Sequence, residues 1–515
     1  MAQQIQTYSI SAPGFFGLNT QDSSLDLAAG FARVANNVVI DQYGRIGSRK
    51  GWTKINSSSI TNDVKSIGEL INDAGTVYTI CAAGNKLYSL SGSTLTELTY
   101  GGGGSAPTIS DDNWQMAMLG GILSLYQTGH EPIAFAPAVS ASTYRRVSEL
   151  SGYAGTVQQS DCVISDYGRI WNANTASDKV TVQWSNVSTS ANFSTGTSGT
   201  LNTTTVWPRG ADTIVALGAH NGFLFIFGKE NILIYSGATS PSTMTLYDVV
   251  TGIGCISRDS VAYTGSDIIF LSQTGVRSVL RTIQEKSSPL RELSKNVRND
   301  LLSAVNSETL SGIKSVYSPL EAFYLLTLPL LKKVYCFDTK AQLEDGSARV
   351  TTWTYIQSGD KAPTALLSKR DGTLLMGKTG YIATYSNYTD NAQKYTFSYY
   401  TNHTDLGTPG AISILKKLSV VLIGGSDQYV TMKWGYDFAE SYYSQAVKIP
   451  TQGVSYYGIG EYGIAKYSGG IALQTLKTYP TGSGKIVQTG YESDINGFSL
   501  SIQKIEIQAK QGKIV

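Results

Sequence analysis

The chain has 515 residues, 15% of them charged, with a formal net charge of +2. That length can bury more than one core, and so even a charge balance excludes a protein whose main task is gripping a phosphate backbone, which needs concentrated Lys and Arg. With 53 glycines and 32 tyrosines, the composition favours an all-β fold of short strands and polar turns. No run of 18 apolar residues occurs, so no membrane-spanning segment is expected. The opening MAQQIQTYSISAPGFF lacks a basic start followed by an apolar core, and no signal peptide is expected. Cys81, Cys162, Cys255 and Cys336 lie far apart in or beside apolar, strand-like runs and read as buried free thiols.

The first distinctive stretch is FFGLNTQDSSLDLAAGFARVANNVVIDQYGRIGSRKGW, Phe15 to Trp52. Its carboxylates Asp22, Asp26 and Asp41 read as turn and cap residues, and they lack the D-x-D-x-D-G spacing of a calcium loop. Residues 27–36 are expected to form a short helical turn. Val38 to Trp52 reads as a hairpin turning at Tyr43-Gly44, with Trp52 anchored in a core. The basic group Arg45, Arg49, Lys50 and Lys54 has two readings: an ordinary solvated face, or a candidate assembly interface meeting an acidic partner or a phosphate backbone. Residues 1–60 are thus read as a lead-in segment with a hairpin.

From residue 61 one pattern returns: an apolar strand, a Gly-containing turn and a second apolar strand. It is clearest at Gly75–Leu90, Gly222–Gly237, Ser266–Leu280 and Gly372–Tyr385, and weaker at Gly120–Phe135, Tyr167–Trp184 and Glu321–Asp338. The turns, near 84, 129, 176, 228, 274, 329 and 379, recur about every 50 residues, the span of a four-stranded propeller blade. Residues 61–394 therefore read as a β-propeller-like ring of roughly seven blades. A stack of β-sandwiches is the rival, but it does not require a period.

Two kinds of segment interrupt the pattern. Near 288–308, Leu290, Leu293, Val297, Leu301, Leu302 and Val305 approach helical spacing, predicting a small helical insertion between two blades. The stretches 99–108 and 198–208 read as exposed connectors. After about Tyr395 the texture changes to long alternating strands, and 395–515 reads as a C-terminal β platform domain. Near its end Phe498, Leu500 and Ile502 alternate, then Ile505 and Ile507 follow a one-residue break at Gln503-Lys504 that fits a bulge.

Reactive chemistry is sparse. His130, His220 and His403 are scattered, and no H-E-x-x-H, paired-cysteine, phosphate-loop or G-x-S-x-G pattern occurs. The adjacent Asp111-Asp112 is the best carboxylate pair. In Asn402–Asp405 a histidine stands near a carboxylate, which reads as a turn. The sequence thus predicts no catalytic residues, no cofactor and no metal site.

The opening stretch resembles the N-terminal segment of tail and neck proteins from tailed bacteriophages. VALGAHNGFLFIFGKENILIYSGAT with VVTGIGCISRDSVAYTGSDIIFLSQTGVRSV looks like the head-to-tail hub, or tail nozzle, proteins of short-tailed phages. GFSLSIQKIEIQAKQGK is similar to the closing strand of their platform domain. Asn37, Asp41, Gly44, Arg45, Arg49, Lys50 and Gly51 match the opening pattern, which implies a structural or interfacial role for them. The resemblance implies a structural virion protein, not an enzyme. Copies, expected to be six, form a tail ring that continues the DNA channel, retains the genome and permits its ejection into a bacterial host. Implied partners are an adaptor or portal-proximal tail protein above, fibre or needle proteins at the side or tip, and double-stranded DNA passing without sequence-specific binding. Two other classes stay open: a receptor-binding or fibre-attachment tail protein, and a glycan-cleaving propeller.

Overall fold

The computed structural model describes residues 5–208, 210, 212–279, 292–355, 361–407, 410–449 and 473–514. All seven expected hairpins form, and each supplies the second and third strands of one sheet. The innermost strands, in order, are Val64–Ile71, Gln115–Leu119, Ser160–Asp166, Ile214–His220, Ala262–Tyr263, Lys314–Ser318 and Ala365–Ser368. Each touches the next, with the turn Arg258–Ser260 bridging the fourth and fifth, and the last touches the first. This is a closed seven-bladed β-propeller.

Burial explains the period. Each sheet is apolar on both faces and must cover both, so neighbouring blades share a core. Leu70, Ile80, Trp114 and Leu125 pack between blades 1 and 2, and Trp171, Trp184, Ile226 and Leu233 between blades 3 and 4. Phe225, Phe227, Ile268 and Phe270 fill the space between blades 4 and 5. Phe323, Trp353, Met376 and Tyr385 do the same between blades 6 and 7, and Ile67, Cys81, Leu375 and Ile382 between blades 7 and 1. The four cysteines are buried and free; desolvation pushes the Cys81 thiol up to about 12 and Cys255 up to about 11.

The ring is closed by the beginning of the chain. Trp52–Lys54 is the outermost strand of blade 7, antiparallel to Tyr381–Tyr385, so this sheet joins segments more than 300 residues apart. Val38–Ile40 and Ile46–Ser48 do form a hairpin, but Trp52 leaves it for the propeller, where its indole is buried as expected. Residues 27–36 contain the strand Phe31–Asn36 instead of a helical turn. There Ala32 and Ala35 point into a core, and the backbone pairs with Tyr395–Thr401.

The opening segment is therefore not a unit of its own. Ile5–Ser11 and Ile46–Ser48 both pair with Leu500–Ile514, alongside Ala411–Gly424 and Leu473–Thr478. A facing sheet runs Phe31–Asn36, Tyr395–Thr401, Val487–Ile495, Tyr429–Tyr436, Tyr443–Lys448. Between them Leu418, Val420, Ile505 and Ile507 meet Phe397, Tyr399, Met432 and Tyr491 in one core. The result is a two-sheet sandwich built from both ends of the described chain. Lys504 lies opposite Val421 and Ile502 opposite Leu422, which leaves Gln503 as the expected bulge. Its carbonyl accepts from Ala12 N.

The helical insertion is present as Arg298–Asn306 after a turn at Lys295–Val297, between blades 5 and 6. Leu293, Val297, Leu301 and Val305 are buried and Leu302 is half-buried; Leu290 lies outside the described residues. Within 198–208, Gly199–Asn202 is a strand, the outer edge of blade 3. An edge strand facing water carries the same Thr-rich texture as a loop, which is why it reads as a connector.

Candidate functional site

Of the residues that carry the resemblance, Asn37, Arg49 and Gly51 meet where sandwich and propeller join, whereas Asp41, Gly44 and Arg45 sit in the hairpin turn. Asn37 takes φ +56°, a left-handed conformation that Asn tolerates well. Its amide donates to Thr396 O (2.8 Å), and its Oδ1 accepts from Thr354 N (3.1 Å) and Arg49 Nε (3.0 Å). Asn36 lies beside Thr352 in a parallel bridge, so the sandwich sheet runs on into blade 6. Gly51 passes so close to blade 7 that a Cβ there would sit 1.9 Å from Thr389 O.

Arg49 is the centre of this joint. Its side chain is fully buried and grips Asp390 with two parallel hydrogen bonds of 2.8 and 2.7 Å. The guanidinium lies 4.1 Å from the Tyr395 ring centroid and 5.0 Å from that of Tyr355. Burial alone would push its pKa down; the Asp390 carboxylate more than reverses this and keeps the charge in place.

The four basic residues thus do not share one exposed face. Arg49 is internal, and the reading of it as an interface residue is corrected: a guanidinium with no exposed surface cannot meet a partner. Arg45 pairs with Asp41 at 2.6 Å and covers the Tyr43 ring. Lys50 pairs with Glu321 of blade 6, and Lys54 lies 4.8 Å from the Tyr381 ring centroid. Asp41 caps its turn, accepting from Tyr43 N and Arg45 N.

Arg45 and Lys50 line a cleft of about 440 Å³ between blade 6 and the sandwich, with Asp41, Glu321 and Lys340. Exposed apolar side chains surround it: Tyr43 (61% exposed) and Leu320 (73%) on its wall, and Phe498 (52%) next to its lining Ser499. The charged groups of the cleft are paired: Arg45 with Asp41, Lys50 with Glu321 and Lys340 with Asp338.

A second cavity, about 480 Å³, follows the propeller axis and is lined by Lys65, Glu69, Gln115, Lys314, Ser315 and Ser368, among others. A buried charge cluster crosses the ring beside it. Arg258 donates to Asp161 Oδ1 (3.0 Å) and Asp259 Oδ2 (2.9 Å), and Lys314 donates to the same Asp259 oxygen (2.5 Å) and to Asn113 Oδ1. Burial alone would raise the Asp259 carboxyl, but the two cations hold it well below the usual carboxylate range. Blades 3, 5 and 6 are tied together at the axis.

The adjacent carboxylates are also occupied. Lys65 reaches Asp111 at 3.2 Å and Asp112 at 2.7 Å, and Asp112 accepts from Gly84 N. His403 meets Ser24 Oγ at 2.5 Å and packs its ring 4.4 Å from Phe438. Among the described residues no group of three or more His, Cys, Asp or Glu could hold a metal, and no helix is long and apolar enough to cross a membrane. Sequence reasoning missed Asp390, Glu321 and the axial cluster. The adjacency Arg258-Asp259 inside an apolar run was the one local signal for the last.

No family model and no curated protein matches the chain. Solved structures with similar folds include the WD40 domain of Neurospora crassa Pan2, at 9% identity and TM-score 0.40, covering 66% of this chain and 97% of that one. The WD40 β-propeller domain of Doa1 matches at 10% identity and TM-score 0.35, covering 64% and 95%. PorZ, a surface component of the type-IX secretion system of Porphyromonas gingivalis, matches at 12% identity and TM-score 0.37. That match covers 65% of this chain and 37% of PorZ.

Proposed function

We propose that this chain is a structural virion protein that forms the tail nozzle of a short-tailed bacteriophage. Copies assemble into a ring, six by the family expectation, that continues the DNA channel, retains the genome and opens for ejection. An adaptor or portal-proximal protein sits above, and fibre or needle proteins at the side or tip. The duplex passes without sequence-specific binding. One observation carries the reading: Asn37, Arg49 and Gly51, three of the residues on which the resemblance rests, hold the propeller to the sandwich. The pattern thus marks an architecture and not a pocket. The catalytic-propeller alternative gains no support from Asp111 and Asp112, which are engaged by one lysine.

Negative-stain imaging of the purified full chain tests it. Rings with a central lumen wide enough for duplex DNA are expected. Monomers with a ligand-filled axial cavity, or rod-like trimers, would overturn the reading.

A further inference from the structure

The two sheets of the sandwich treat their charges differently. In the sheet that includes Tyr429–Tyr436 and Tyr443–Lys448, both sandwich lysines are paired: Lys433 with Glu492 (2.8 Å) and Lys448 with Asp427 (2.7 Å). The other sheet comprises Ile5–Ser11, Val38–Ile40, Ile46–Ser48, Ala411–Gly424, Leu473–Thr478 and Leu500–Ile514. Its strands carry six lysines, no arginine and one carboxylate, Glu506. That positive excess sits in a chain whose net charge is only +2.

Strand alternation sends these lysines outward. Leu418, Val420 and Leu422 enter the core, so Lys417 faces out. Ile505, Ile507 and Ala509 do the same on the neighbouring strand and turn Lys504, Glu506 and Lys510 outward. Leu476 likewise turns Lys477 out, and Lys416 is exposed where the register shifts between Leu415 and Lys417. The ladder sets Ser9, Glu506, Ser419 and Lys477 in one row across four strands, and Thr7, Gln508 and Lys417 in the next. Lys504 takes Glu506 at 2.5 Å, which leaves Lys416, Lys417, Lys477 and Lys510 without an ion pair among the described residues. The outward Ile414 and Val421 stand opposite Lys510 and Lys504 and are half-buried, as when lysine stems cover apolar surface and hold their ammonium groups in water.

Unpaired like charges on one face repel each other, and an anionic partner relieves that repulsion. The outward positions of these strands hold no aromatic residue and no arginine, the side chains that anchor protein contacts, where lysine is depleted. They also offer no ring on which unpaired bases could stack. What remains is lysine with the exposed hydroxyls of Thr7, Ser9 and Ser11, donors that suit phosphate oxygens and carry no sequence information. Lys504 and Lys510 lie roughly 20 Å apart along one strand, a length over which a duplex presents about 12 phosphates.

We propose that this lysine face binds the phosphate backbone of double-stranded DNA, weakly and without regard to sequence. The contact goes beyond ring assembly, since a single chain carries the whole face.

Fluorescence anisotropy of a short labelled duplex of mixed sequence, titrated with the full chain, tests it. Four unpaired lysines predict binding about 150-fold weaker at about 200 mM salt than at about 50 mM. Lys417→Gln, Lys477→Gln and Lys510→Gln together should cut that ratio to about 4-fold and weaken binding at the lower salt, with the melting temperature unchanged. Lys229→Gln, at the turn of blade 4, should leave duplex binding as it is. Three results would overturn the proposal: no duplex binding at the lower salt, wild-type salt dependence in the triple variant, or sedimentation with anionic lipid vesicles by a chain that ignores the duplex. Rings in negative stain without duplex binding would overturn this contact and leave ring assembly standing. Duplex binding through these lysines by a chain that never forms rings would do the reverse.

Discussion

Arg49 and Asp390 stand 341 residues apart in the sequence and meet inside the protein through two hydrogen bonds of 2.8 and 2.7 Å. Arg49 belongs to the segment that leaves the sandwich for the propeller, and Asp390 follows the last hairpin of the propeller. Their pairing fixes the angle between the two bodies while the Tyr355 and Tyr395 rings exclude water. Arg49→Ala leaves a buried carboxylate without its partner, a loss of about 3–5 kcal/mol. Urea unfolding followed by tryptophan fluorescence measures it. Arg49→Lys should recover little of the loss, because a single ammonium cannot reproduce the planar fork. A loss under 1 kcal/mol would show that the joint is held elsewhere.

Removing the beginning of the chain should have two distinct effects. Deleting residues 1–11 strips an edge strand from the sandwich, and the propeller should stay closed. Deleting residues 1–54 also takes Phe31–Asn36, the hairpin Val38–Ser48 and Arg49 from the sandwich and its joint, and with Trp52–Lys54 the outer strand of blade 7, leaving Tyr381–Tyr385 as an unpaired edge that invites association with other chains. Light scattering during thermal melting should rise sharply for the longer deletion only. Equal behaviour of the two would argue that Trp52–Lys54 is dispensable for closure.

The same topology explains what was legible in the sequence. Every blade hairpin is local: strand, turn, strand, all within about 20 residues, with glycine in or beside the turn in all but blades 3 and 6, so composition and spacing reveal it. The count of seven follows from the period. Non-local pairing is not written in any window. Phe31–Asn36 is too short to declare its own period, and its neighbour Tyr395–Thr401 lies more than 350 positions away. The basic group misled for a related reason. Lys54 is exposed and Lys50 is half-buried against Glu321, but nothing beside Arg49 announces that Asp390 will bury it. Of the cleft beside blade 6, the sequence marked Arg45 and Lys50, while Leu320 and Glu321 required the fold.

The Gly-rich stretch after Tyr100 is not slack. Gly103 N donates to Glu149 Oε1 (2.9 Å), and Arg146 N donates to the other carboxylate oxygen (3.0 Å). A Cβ on Gly102 would lie 2.0 Å from Glu149 Oε2, whereas one on Gly103 meets nothing nearer than 4.0 Å. Gly102→Ala should therefore destabilise by about 1–3 kcal/mol through overpacking, and Gly103→Ala by far less. Equal melting temperatures for the two variants would show that Glu149 moves aside at no cost.

Acid should weaken the chain below about pH 4, and Asp345 is a named contributor. Lys295 donates to its Oδ2 at 2.7 Å, and Ser347 donates to Oδ1 through both its N–H (3.0 Å) and its hydroxyl (2.7 Å). Burial alone would raise this carboxyl, but these donors outweigh it and bring it down to about 2, against an ordinary 3.8. A group with a depressed folded pKa binds fewer protons in the folded state than in the unfolded one. Its contribution is therefore complete above the unfolded value and is lost as pH falls toward the folded one. Asp259 acts in the same direction. Melting temperature should accordingly drop between pH 4 and pH 2, and Asp345→Asn should start lower at neutral pH and decline less steeply across that window. Parallel melting curves for the variant and the wild type through that window would remove Asp345 from the acid response, leaving the axial carboxylate as the group to substitute next.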